Sequence, residues 1–90
     1  MLHVEDGVAL FDGELILANA SEWLEQGEAA LKAGVTVFDL EGLGNLDSAA
    51  LSLMLSLRRR AQAAGSSIEF RHVPESLASL AELYGVTEQI

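Results

Sequence analysis

Val35-Thr36-Val37-Phe38-Asp39-Leu40, then Glu41-Gly42-Leu43-Gly44-Asn45-Leu46, then Asp47-Ser48-Ala49-Ala50-Leu51-Ser52-Leu53-Met54, is the stretch on which the fold turns. Its opening residues are β-branched or aromatic with few polar interruptions, which fits a strand buried on both faces of a parallel sheet. Gly42, Gly44 and Asn45 read as the loop that follows. A long helix is then predicted from about Asp47 to Ala64, with Gly65 as its stop. Strand, loop and helix in this order make half of a βαβ unit.

On the N-terminal side, Leu2 and Val4 are followed by Glu5-Asp6-Gly7 and then Val8-Ala9-Leu10-Phe11. Asp-Gly between two short apolar runs signals a hairpin. Asp12-Gly13-Glu14-Leu15 reads as a second bend. From Asn19 the period becomes helical, with Asn19 and Glu22 at capping-box spacing. Ala20, Leu24, Gly27 and Leu31 form its stripe, Trp23 and Ala30 lie beside it, and Gly34 ends it.

Beyond the long helix, Ser67–Arg71 reads as a short strand centred on Ile68 and Phe70. Pro74 suits the first turn of a last helix. Its apolar stripe is Leu77, Leu80, Ala81 and Tyr84, with Gly85 as the stop and Val86 as the residue packing back. The order is β-β-α-β-α-β-α. Two helices that each link neighbouring strands imply right-handed crossovers. The expectation is one small α/β domain over residues 1–90, with a mixed, mostly parallel sheet of about four strands and three helices.

Composition narrows the functional classes. The 90 residues carry 14 acids against 5 Lys and Arg, a formal charge of -9, and contain no Cys. That excludes a disulfide framework and a thiolate metal site. A phosphate-binding nucleic-acid surface would need surplus Lys and Arg. Half the residues are hydrophobic, too many for a disordered acidic tail, yet no apolar run reaches the roughly 18 residues of a membrane span. The charge is uneven: residues 1–57 hold 10 acids and the single base Lys32, whereas residues 58–90 hold 4 acids and 4 Arg. The start, Met-Leu-His-Val-Glu, lacks the basic and apolar regions of a secretory signal, so a cytoplasmic location is expected.

Catalytic signals are absent. His3 and His72 are not in metal-ligand spacing and read as surface or strand-end residues. Neither a P-loop nor a G-x-G-x-x-G pattern occurs. The loop Gly42-Leu43-Gly44 invites a phosphate, but Asp47 stands where the anion would sit. No cofactor, metal or catalytic residue is expected.

The helix from Asp47 is more informative. Asp47 or Ser48 can cap it. Advancing about 100° per residue, Ala50, Leu53, Met54, Leu57, Ala61 and Ala64 share one arc and should face the core. Ser48, Ser52, Ser56 and Arg59 fall opposite, with Leu51 and Leu55 nearly so. Two leucines among small serines make a low-charge, partly apolar surface suited to a partner. Loops or the last helix could instead bury Leu51 and Leu55. Arg58-Arg59-Arg60 complements the helix dipole and offers a patch for acidic residues of a partner.

These residues carry a resemblance. The order of elements, Leu10-Phe11-Asp12-Gly13-Glu14-Leu15, and Val37-Phe38-Asp39-Leu40 leading into Leu46-Asp47-Ser48-Ala49-Ala50-Leu51 resemble the STAS domain. That domain is shared by bacterial anti-sigma factor antagonists and the cytoplasmic tails of anion transporters. The ending Leu80-Ala81-Glu82-Leu83-Tyr84-Gly85-Val86 is similar to the MlaB branch, the STAS subunit of the Mla phospholipid ABC transporter. The resemblance implies a non-enzymatic subunit that binds the transporter's ATPase and supports outer-membrane lipid asymmetry, reaching the membrane only through its complex. Together with the helix face described above, this puts the expected partner contacts at Leu46, Asp47, Ser48, Leu51, Ser52 and Leu55, helped by the last helix. The alternative is an anti-sigma factor antagonist switched by phosphorylation. In those antagonists the motif reads Asp-Ser-Ser-Gly and the second Ser is the phosphosite. Here that position is Ala49, which has no hydroxyl, and the Gly position is Ala50. Ser48 is the remaining candidate phosphosite, beside Asp47. A small-ligand domain using the Gly42–Asp47 loop is a third reading, and a homodimer of the isolated chain is open.

Overall fold

Asp6 and Gly7 both adopt positive φ, 51° and 78°, the signature of the type I′ turn that matches strand twist. They join β1 (Leu2–Glu5) to β2 (Val8–Leu15) as an antiparallel hairpin. The computed structural model describes residues 1–90, and its further elements are α1 (Ala20–Lys32), β3 (Val37–Leu46), α2 (Ser48–Ala63), β4 (Glu69–Arg71) and α3 (Glu75–Leu83). Short 3-10 turns cover Leu17–Asn19 and Thr87–Gln89. The β-β-α-β-α-β-α order and the four-stranded mixed sheet are as expected. The sheet order is β1-β2-β3-β4, with β2–β3 and β3–β4 parallel.

Strand order explains a correction. Because β2, β3 and β4 are neighbours in chain order, both right-handed crossovers place their helices on the same face. Ala9, Phe11, Phe38 and Leu40 are buried on that face. Val8, Leu10, Val37 and Asp39, alternating with them, remain only half-buried. The strand at Val35–Leu40 is therefore covered on one face, not both.

Two expected bends are strand. Residues 12–15 continue β2, and Gly42, Gly44 and Asn45 continue β3, with register shifts between Leu10 and Asp12 and between Gly13 and Leu15. Gly42 leaves no room for a side chain against β2: a Cβ there would run into the Phe11 carbonyl oxygen. Backbone pairing persists through glycine-rich sequence because irregular pairing bends these strands without separating them.

Trp23 centres the core. Its ring stacks on Phe11 with centroids 4.8 Å apart, and Phe38 meets Phe11 edge-on at 6.2 Å. The indole N–H donates to the Glu14 carbonyl at 3.1 Å, so the buried ring leaves no polar atom unpaired. Gly27 lets α1 approach α2, since a Cβ there would lie 2.7 Å from Leu57 Cδ2. In α1 the buried residues are Trp23, Gly27 and Ala30, with Ala20, Leu24 and Leu31 half-buried, so the stripe is rotated toward the indole.

Asn19 does not form the expected capping box with Glu22. Its Oδ1 accepts from the Ile16 N–H at 2.9 Å and its Nδ2 donates to the Glu14 carbonyl at 3.0 Å. It therefore fastens the preceding 3-10 turn. The last helix ends as expected: Gly85 has φ 71°, and the Val86 N–H reaches back to the Ala81 carbonyl at 2.8 Å. Tyr84, expected in its apolar stripe, is instead 61% exposed. It is the C-cap residue, past the helical turns that bury Leu77 and Ala81.

Candidate functional site

Asp47 organises the front end of α2. It is the N-cap, with Oδ1 accepting from the Ala49 N–H at 2.8 Å. Its Oδ2 accepts from the Leu17 N–H at 3.1 Å, across 30 residues of chain. Its own N–H donates to the Leu15 carbonyl at 3.3 Å. The anion position at this helix start is thus taken by the protein's own carboxylate.

The face of α2 differs from the helical-wheel expectation in one decisive residue. Leu51, expected outside, is 4% exposed and belongs to the core. The reason is α3, which packs on the flank of α2 and extends the buried arc beyond the sheet-facing residues. Leu55 is half-buried and packs against the core. Ala64, expected in the core, is the exposed C-cap of α2. Ser48, Ser52 and Arg59 are exposed along the outer ridge, and Leu46 and Ser56 are half-buried.

On the other flank of this ridge lies a shallow groove lined by Leu17, Ala20, Ser21, Leu24, Ala49, Ser52, Leu53 and Ser56. None of these is charged, although the chain carries -9. Leu17, at its rim, is 79% exposed. Sequence reasoning missed Leu17, Ala20, Leu24 and Ala49 because they come from three segments. The available signal was Ile16-Leu17-Ala18, an apolar run placed before a helix cap.

The arginine run does not form a patch. Arg58 donates through Nε to the Gln89 carbonyl at 2.6 Å and through Nη1 to the Ile68 carbonyl at 2.8 Å, and it lies 5.0 Å from the Phe70 ring centroid. Arg60 pairs with Glu28 at 3.0 Å. Arg59 turns back to Ser56 Oγ at 3.2 Å. Successive residues on a helix point about 100° apart, so three adjacent cations find three different neighbours.

A second constellation lies on the uncovered sheet face. His72, at φ 55°, sets its Nδ1 3.0 Å from Asp39 Oδ1 and 3.5 Å from Glu41 Oε2. The Glu41 N–H also donates to Asp39 Oδ1 at 2.9 Å. That backbone donor is the largest influence holding the Asp39 carboxyl below its ordinary 3.8, with His72 adding to it. The hydrogen bond to Asp39, then its charge, raises His72 above its ordinary 6.5. Spacing in the chain gave no sign of this cluster. The parallel register that sets Asp39 opposite Arg71 creates it.

Residues 4–90 match the family described as Mlab, STAS domain. The chain belongs to the STAS domain family. This STAS domain is similar in fold to the anti-sigma factor antagonist SpoIIAA in its unphosphorylated form, with TM-score 0.68 and 17% identity over 92% of this chain and 81% of that one. It is also similar to the crystal structure of Mglu, with TM-score 0.62 and 23% identity over 83% of this chain but only 19% of that one. At these identities the likeness is one of fold. No curated protein matches the chain. No helix of this STAS domain is long and apolar enough to cross a membrane.

Proposed function

We propose that this STAS domain is a non-enzymatic docking subunit that binds the ATPase of an Mla-type ABC transporter and supports its role in phospholipid trafficking. The observation that carries the reading is the groove of uncharged residues at the front of α2 on an otherwise acidic protein. Small side chains at Ala49, Ser52 and Ser56 let a partner's backbone approach closely. Covering the exposed Leu17 rewards that approach. Leu46, Asp47, Ser48, Ser52 and Leu55 remain in the proposed contact, now joined by Leu17. Leu51 contributes from beneath, by holding α2 on α3.

Such a subunit acts by differential binding: it favours whichever state of its partner presents the matching surface. In that role it sits in the cytoplasm and meets the membrane only through its complex. The test is co-purification with the ATPase after Ser52→Glu, which adds a charge without touching the core. Loss of the complex with an unchanged fold is expected. Retention of the complex would overturn the assignment of this face.

The fold likeness to SpoIIAA supports a second reading, partner switching controlled by phosphorylation. Ser48 is exposed and is the hydroxyl available in the motif, since the next position is Ala49. Incubation with the cognate kinase followed by mass spectrometry tests it. A phosphate on Ser48 is required for that reading, and its absence would exclude it.

A further inference from the structure

We propose that Asp39, Glu41 and His72 form a binding site for a divalent transition-metal cation of the zinc class. Three donors converge from two regions of the chain: two carboxylates at successive outward positions of β3, and an imidazole just after β4. One ligand atom from each residue lies within 4.8 Å of the others, with edges of 3.0 Å from His72 Nδ1 to Asp39 Oδ1 and 3.5 Å from His72 Nδ1 to Glu41 Oε2. Tetrahedral bonds of about 2.0–2.1 Å place neighbouring donors about 3.3 Å apart, so both edges already bracket the required spacing. The third edge closes by a side-chain rotation of Glu41, which is 75% exposed.

The donor chemistry selects the cation. One imidazole with two carboxylates suits zinc and its first-row neighbours, whereas magnesium and calcium favour all-oxygen shells. The surroundings favour a positive ion. Asp12 lines the same shallow depression as Asp39 and Glu41, and the nearest guanidinium, Arg71, is drawn aside by Glu69 at 2.9 Å. His72 is 58% exposed, so the ion and a completing water have open access. His3 lines the same depression, but it meets Glu5 at 3.2 Å and is outside the three-donor group, so it tests whether these three donors suffice. This site lies on the sheet face away from the helices, so it stands independently of the docking surface.

The experiment is titration of the chelator-stripped full chain with zinc chloride, and separately with magnesium chloride. Calorimetry and amide NMR give stoichiometry, affinity and the residues perturbed. One zinc per chain is expected, with shifts confined to residues near 39, 41 and 72 and no saturable magnesium binding. His72→Asn removes the imidazole yet tolerates the left-handed backbone, and should weaken zinc at least tenfold. Glu41→Gln should weaken it as well, and His3→Ala should leave it unchanged. Amide spectra of each variant separate lost binding from lost folding, and the exposed Glu41→Gln carries the test if His72→Asn misfolds. Absent saturable zinc binding, wild-type affinity in folded His72→Asn or Glu41→Gln, or loss of binding in His3→Ala would overturn the proposal.

Discussion

The carboxylate of Asp47 joins two segments that the chain keeps far apart: Oδ1 caps α2 at the Ala49 N–H, and Oδ2 holds the Leu17 N–H at 3.1 Å. One side chain therefore starts the helix and fixes the rim of the proposed docking groove. Asp47→Ala removes both bonds and should cost about 0.5–2 kcal/mol, the range for a lost cap. Asp47→Ser keeps a cap but is too short to serve Leu17 as well, so an intermediate loss is expected. Urea denaturation of the three proteins, with hydrogen exchange at Leu17, checks this ordering. Equal stability of Asp47→Ala and the parent would refute the double role.

Leu51 and Ser52 are adjacent, yet the fold gives them opposite duties. Leu51→Ala should cost about 2–5 kcal/mol, as expected for a buried leucine. Ser52→Glu should change stability by no more than about 0.5 kcal/mol. Chemical denaturation separates them at once. Similar small losses for both would return Leu51 to the exterior.

Gly42 and Gly44 make a matched pair within β3. A Cβ at Gly42 would collide with the Phe11 carbonyl oxygen, whereas at Gly44 the nearest atom, the Gly13 carbonyl oxygen, lies at 4.0 Å. Gly42→Ala must push β2 and β3 apart against their hydrogen bonds and should cost at least about 2 kcal/mol, within the usual range for overpacking. Gly44→Ala should stay within about 1 kcal/mol of the parent. Thermal melts of the two variants provide the comparison, and equal melting temperatures would contradict it.

The His72–Asp39 pair predicts a pH dependence with a definite sign. His72 is raised above 6.5 in the folded chain, so its contribution is complete below 6.5 and disappears as pH rises through the folded value. Asp39 is lowered from 3.8, so its contribution is complete above 3.8 and disappears as pH falls through the folded value. The pair is at full strength between those two ordinary values. NMR titration of the His72 ring in chelator should give a midpoint above 6.5, moving down in Asp39→Asn. An unmoved midpoint in that variant would assign the shift to another cause.

Some features were legible because local chemistry decides them. Asp6-Gly7 specifies its turn through φ, Gly85 with Val86 specifies a helix end, and the 3.6-residue period of α2 specifies Ala50, Leu53, Met54, Leu57 and Ala61 as core. Others were misread where two segments compete for one residue. Asn19 bonds backward to Ile16 instead of forward to Glu22, and Gly42 and Gly44 stay in a strand because β2 pairs with them.

The amino-acid sequence by itself determined the element order, the family and the start of α2 at Asp47, since periodicity, turn residues and caps act within a few residues. Only the tertiary structure decided which flank of α2 is free. The docking of α3 buried Leu51, and the 3-10 turn at Leu17 built a groove beside Ser52. It also decided that Asp39, Glu41 and His72 meet, because parallel pairing of β3 with β4 brings together residues 33 positions apart. Contacts of that kind depend on how far the chain travels before it returns, and no local pattern records that distance.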